Sequence, residues 1–181
     1  MKLLKKLGVL AFSLATLNAA AQTDKATTVK IVDAKNYVFV ATNAMPMNST
    51  DINNILSRMP GAVNAGNISL TGSNYDLVVA PDSVVSYLPY YGRAYTAPID
   101  TDDNGYRFTA KDFTYKTTKR KKGGWEIEIA TKDVKNNVRM NLSISESGYG
   151  TLSVISNNKQ SISYSGYLSE PKPQTRKGAS K

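Results

Sequence analysis

The side chains that most often carry out chemistry, histidine and cysteine, do not occur anywhere in this chain of 181 residues. Their absence excludes Ser-His-Asp triads, cysteine nucleophiles and the nitrogen and sulfur ligands that zinc usually takes. Carboxylate-only chemistry stays open in principle. Glycoside hydrolysis needs two carboxyl groups about 5–10 Å apart, and Glu126 and Glu128, at i and i+2 on an extended run, would stand roughly 7 Å apart. Both alternate with Trp125, Ile127 and Ile129, which assigns them to a solvent face. No catalytic residue is assigned, and the chain reads as a protein that is not an enzyme.

The segment from Asp100 through Asp102 and Asn104 to Gly105 has the opening of a calcium loop, in which alternating oxygens converge on a hard cation. A bidentate Glu would be needed at the twelfth position, where Lys111 stands, with Asp112 one place late. Asp100, Asp102 and Asn104 are therefore a weak calcium candidate, and a polar turn before a strand is the plainer reading. No cofactor is expected.

Between Tyr87 and Tyr95 the chain packs Tyr87, Tyr90, Tyr91 and Tyr95 around Pro89, Gly92 and Arg93. Rings with hydroxyl tips beside a guanidinium can stack on a sugar, a lipid head group or an aromatic ligand. The same residues can be structural: Pro89 and Gly92 shaping a corner, the tyrosines filling the end of a barrel, Arg93 tied to backbone carbonyls. Tyr87, Tyr90, Tyr91, Arg93 and Tyr95 are the ligand-binding candidates. The run Lys119-Arg120-Lys121-Lys122 before Gly123-Gly124 reads as a solvated hairpin tip that protects an edge.

These groups must be positioned by strands. From Tyr106 onward apolar and polar residues alternate: Trp125, Ile127 and Ile129 against Glu126 and Glu128, then Val138, Met140, Leu142 and Ile144 against Arg139, Asn141 and Ser143. Short polar or glycine-bearing breaks separate the runs, which predicts successive antiparallel hairpins. Earlier strands are expected at 36–42, 74–80 and 83–88. The fold class is all-β, an antiparallel meander of about eight strands closing into a barrel, with a two-sheet sandwich as the alternative. Ile52, Ile55, Leu56 and Met59 recur at helical spacing between Ser49 and the stop at Pro60-Gly61, which predicts one short helix that could plug an open end.

The first 21 residues have the parts of a cleaved secretory signal. Lys2, Lys5 and Lys6 precede an apolar stretch from Leu7 to Leu17, too short to span a bilayer, and Ala19 and Ala21 supply the small-x-small cleavage pattern. Residues 22–34 then read as an N-terminal lead-in, 35–168 as the barrel domain and 169–181 as a disordered basic tail. The mature chain would keep 20 basic and 14 acidic residues, a net charge of +6. With no cysteine to carry a lipid it would not be a lipoprotein, and no later apolar run predicts stable membrane insertion. Export also argues against nucleic acid as a partner for the basic tip and tail.

The segments Leu88-Pro-Tyr-Tyr-Gly-Arg-Ala-Tyr95, Gly148-Tyr-Gly-Thr-Leu-Ser-Val154 and Ser161-Ile-Ser-Tyr-Ser-Gly166 resemble a secreted bacterial family known as domain of unknown function 4251. Tyr37-Val-Phe-Val-Ala41, Ala44-Met-Pro46 and Gly124-Trp125 belong to the same resemblance, which runs in order along nearly the whole mature chain. It implies an exported protein of Gram-negative gut and oral bacteria with a lipocalin-like β-barrel, and it supplies no function. The stretch from Ser49 to Asn67 is longer than the resemblance leads one to expect and reads as a lid or a decoration.

Two functions are expected from these features. The first is a non-catalytic module of the periplasm or cell exterior that binds a small apolar or amphipathic molecule in the barrel mouth near Tyr90, Tyr91, Arg93 and Tyr95. The second is an envelope structural or protein-interaction domain without a small ligand. A barrel interior filled by its own side chains would favour the second.

Overall fold

The alternating runs form the strands they predict. The computed structural model describes residues 23–47, 66–95 and 105–171. The expected signal, the helix expected between Ser49 and Met59, the calcium candidate Asp100, Asp102 and Asn104, and the tail after Pro171 lie outside the described residues. Among the described residues ten strands follow one another: β1 (Tyr37–Pro46), β2 (Ile68–Ser69), β3 (Asp76–Val79), β4 (Val84–Pro89), β5 (Gly105–Ala110), β6 (Phe113–Lys119), β7 (Trp125–Thr131), β8 (Arg139–Ile144), β9 (Tyr149–Ile155) and β10 (Ile162–Ser169).

All pairings are antiparallel, and nine strands form one sheet in the order β5-β4-β3-β1-β10-β9-β8-β7-β6, with β2 added to the edge of β1. A single sheet that curls on itself is a nearly closed barrel, not a sandwich. Its closure rests on the run from Gly105 to Lys119, which bends at Lys111-Asp112. The first half of that run pairs with β4 and the second with β7. Asp133 pins the bend: its Oδ2 accepts the backbone N–H of Lys111 at 2.8 Å and of Asp112 at 3.1 Å, and Lys132 N–H donates to the Asp112 carbonyl at 2.9 Å.

Alternation decides what fills the barrel. Tyr37 and Phe39 of β1, Leu77 and Val79 of β3, Ile127 and Ile129 of β7, Met140 and Leu142 of β8, Leu152 and Val154 of β9, and Tyr164 and Leu168 of β10 are all buried. Each such side chain withdrawn from water contributes about 1.5–3 kcal/mol. The small residue Gly166 is required on β10, because a Cβ there would meet the Val40 carbonyl oxygen across the β1–β10 ladder, with the Phe39 ring 3.0 Å away. Gly124 turns the chain into β7 at φ 83°, where a Cβ would strike the Ile144 carbonyl oxygen.

The lead-in expected at 22–34 contains a helix, α1 (Lys25–Asp33), that the alternation analysis did not anticipate. Asp24 caps it by accepting the Thr27 N–H at 2.8 Å. Thr28, Ile31 and Val32, at i, i+3 and i+4, form the buried face. Four β-branched residues from Thr27 to Ile31 lower its intrinsic propensity, so packing holds it. Thr23 and Thr28 share a buried 2.7 Å hydrogen bond, and a Cβ on Gly148 would strike the Thr23 hydroxyl and crowd that of Thr28 at 3.3 Å, which seats α1 on the β8–β9 turn. No described helix is long and apolar enough to cross a membrane.

Candidate functional site

The tyrosine segment divides into three environments. Tyr87 points outward from β4 and keeps 40% of its surface exposed. Tyr75 stacks on it with ring centroids 5.6 Å apart, and the Arg107 guanidinium lies 4.6 Å from its centroid. Because β4 lies between β3 and β5, Tyr75 and Arg107 reach the ring from opposite sides. A ligand would have to displace one of them to stack there.

Tyr90 and Tyr91 are half-buried after the end of β4. The Tyr90 hydroxyl donates to the Arg93 carbonyl at 2.7 Å, and its ring meets Tyr106 edge-on at 5.7 Å. Burial, with the neighbouring Tyr106 next, pushes the Tyr90 hydroxyl up to about 12. Lys159 places its ammonium 5.2 Å from the Tyr90 ring and 5.0 Å from the Tyr106 ring while donating to the Gly105 carbonyl at 2.7 Å. Burial also raises Tyr91, followed by the effect of Tyr75. Below them, fully buried Tyr164 donates to the Pro89 carbonyl at 2.6 Å. Tyr95 is the outlying member, 71% exposed, held through its backbone N–H to the Asn158 carbonyl at 2.8 Å. Arg93 is exposed, and its carbonyl also accepts the Gln160 N–H at 3.1 Å. The five candidates thus stand in three environments, and none of them lines a described cavity. The Tyr106 and Ser156 hydroxyls are both buried and make no hydrogen bond of ordinary length, though Ser156 is near enough to offset part of the upward push that burial gives Tyr106.

The largest described cavity lies elsewhere, on the outer face of β3, β1 and β10, and encloses about 830 Å³. Its floor is made by half-buried Val38 and Val40 of β1, Val78 of β3 and Tyr167 of β10. The excursion from Leu70 to Tyr75 forms one wall, anchored at both ends where Leu70 N–H donates to the Thr42 carbonyl at 2.8 Å and Ala41 N–H to the Tyr75 carbonyl at 2.9 Å. Glu170 and Pro171 form the opposite rim. Alternation sends Tyr37, Phe39, Leu77 and Leu168 inward, so the groove floor is the set of positions between them. The signal for it was present in Tyr37-Val-Phe-Val-Ala41 and Leu77-Val-Val79, strands that are apolar on both faces and so have an outer face to cover.

The carboxylates singled out in the sequence lie side by side on the outer face of β7. Glu126 is bound to Arg120 in an exposed ion pair, and Glu128 is exposed opposite Lys116 and Asn141 of the neighbouring strands. Arg120 thereby belongs to the hairpin tip and to β7 at once.

A single-sheet antiparallel barrel with a side-chain-filled interior, an N-terminal helix docked on a turn and a groove on its outer wall defines the class of protein. The chain belongs to the family described as domain of unknown function (DUF4251), whose profile matches residues 19–168. Its fold is similar to the crystal structure of a DUF4251 family protein from Bacteroides eggerthii, with a TM-score of 0.56 and 16% identity, over 84% of this chain and 91% of that one. No curated protein is significantly similar in sequence.

Proposed function

We propose that the protein is a non-catalytic binding module, exported by its N-terminal signal to the periplasm or cell exterior, and that its small apolar or amphipathic ligand lies in the outer groove. The supporting observation is the groove itself: about 830 Å³ over Val38, Val40, Val78 and Tyr167, within the roughly 300–1,000 Å³ that small-molecule sites occupy. This moves the ligand from the barrel mouth to the barrel wall, because the side chains of Tyr37, Phe39, Ile127, Met140 and Tyr164 occupy the interior. The lack of histidine and cysteine, and the outward position of Glu126 and Glu128, with Glu126 paired to Arg120, support a role without catalysis.

Native mass spectrometry of the protein purified from its own periplasm tests the reading. One small molecule should remain on the wild type, be absent from Val78→Arg, and persist in Tyr91→Ala/Arg93→Ala. Loss of the adduct from the mouth variant with retention in the groove variant would reverse the assignment. The filled interior favours a second reading, an envelope protein-interaction domain that carries no small molecule. An envelope partner captured by the wild type and lost only from Tyr91→Ala/Arg93→Ala, with no adduct on any form, would support it.

A further inference from the structure

Tyr106 and Ser156, 3% and 8% exposed, keep their hydroxyls buried without a hydrogen-bond partner. Buried hydroxyls are nearly always bonded, and one that is not costs stability. Both residues line a cavity of about 240 Å³. It lies where the described sheet order ends. Every residue of β5 from Gly105 to Thr109 contributes to one wall, and the loop between β7 and β8 makes most of the other. No described residue lines both this cavity and the outer groove, so the two sites stand or fall separately. We propose that this seam binds a small carbonyl compound, whose oxygen accepts both hydroxyl protons.

The hydroxyl pair sets the class of ligand. Burial, offset in part by Ser156, raises the Tyr106 hydroxyl, which therefore keeps its proton at neutral pH and is there to donate. Ser156 turns about a single side-chain torsion, which lets its hydroxyl swing to the same acceptor. A carbonyl oxygen has two lone pairs and takes both hydrogens. Phe108, Val134 and Val138 supply apolar wall for the carbon body. Charged side chains of both signs, Asp133 and Lys135 among them, share the lining, so the hydroxyls and not a net charge decide what binds. The volume lies below the roughly 300 Å³ at which drug-sized sites begin, which limits the ligand to a few heavy atoms.

Valine-methyl NMR of the full chain, titrated with cyclopentanone and with methylenecyclopentane, which has the same shape but no oxygen, tests the proposal. The Val134 and Val138 methyl signals should shift with the ketone, which should bind about tenfold more tightly than the alkene, as expected for two neutral hydrogen bonds. Tyr106→Phe/Ser156→Ala should bring the two affinities within about twofold. In the ligand-free protein each single variant should raise the thermal midpoint by about 2–4 °C, because it removes a hydroxyl that has no partner. A midpoint that falls in both would show the hydroxyls already satisfied, by each other or by bound water, and would overturn the inference. Equal affinities for ketone and alkene in the wild type, a ketone preference that survives in the double variant, or absence of shifts with either probe would overturn it as well.

Discussion

Tyr164→Phe probes the joint that fastens the tyrosine segment to the barrel. Phenylalanine fits the volume of this fully buried ring, so the change removes the 2.6 Å hydrogen bond to the Pro89 carbonyl and little packing. Losing such a bond at a buried position costs about 1–3 kcal/mol. For a domain of this size each kcal/mol lowers the thermal midpoint by roughly 2–4 °C. The urea midpoint should fall with no change in slope, and amide exchange should quicken from Tyr90 to Arg93. A second effect has a definite sign. Burial raises the Tyr164 and Tyr37 hydroxyls well above their ordinary value of 10.0. An acid held protonated in the fold contributes its full stability below the unfolded pKa, near 10, and loses it as pH rises toward the folded one. Each therefore adds a loss of about 1.4 kcal/mol per pH unit above pH 10, and removing Tyr164 should make that alkaline slope shallower by about this amount. An unchanged urea midpoint together with an unchanged alkaline slope would refute the placement of Tyr164.

Ile127→Ala should cost about 2–5 kcal/mol, since Ile127 is fully buried, whereas Glu128→Ala on the opposite face should stay within about 0.5 kcal/mol; equal urea midpoints for the two would contradict the inward and outward assignment of β7. The two backbone N–H groups that Asp133 accepts, from Lys111 first and then Asp112, hold its carboxyl below the usual value of 3.8. Its stabilisation is present above that value and lost as pH falls through the folded one. Asp133→Asn should therefore lower the thermal midpoint at pH 7 and converge with the wild type as pH falls through the lowered folded value. A gap that persists in acid would show that the corner does not depend on the ionised carboxylate.

From Tyr106 onward the architecture was legible, because each strand buries one face and leaves the other in water. Trp125-Glu-Ile-Glu-Ile129 and Arg139-Met-Asn-Leu-Ser-Ile144 therefore state both their conformation and their orientation. Helix α1 was harder to read: its β-branched residues weaken the local preference, and only the Thr28, Ile31, Val32 spacing pointed to it. The candidate site was legible in part. The tyrosine segment stood out by composition, yet where Tyr87, Tyr91 and Tyr95 point depends on strand order and on contacts with Tyr75, Arg107 and Asn158, all distant in sequence.

The residue pattern by itself determined an all-β domain, the inward set of each regular strand, and the exclusion of histidine and cysteine chemistry. Those properties are local, set by a period of two or by composition. Tertiary structure alone decided that β1 lies between β3 and β10, that one bent run closes the barrel at Asp133, and that Val38, Val40, Val78 and Tyr167 share a groove rimmed by Asp76 and Glu170. A strand's alternation states which side chains share a face but not which strand lies beside it. That choice is made when all the inward faces are buried together.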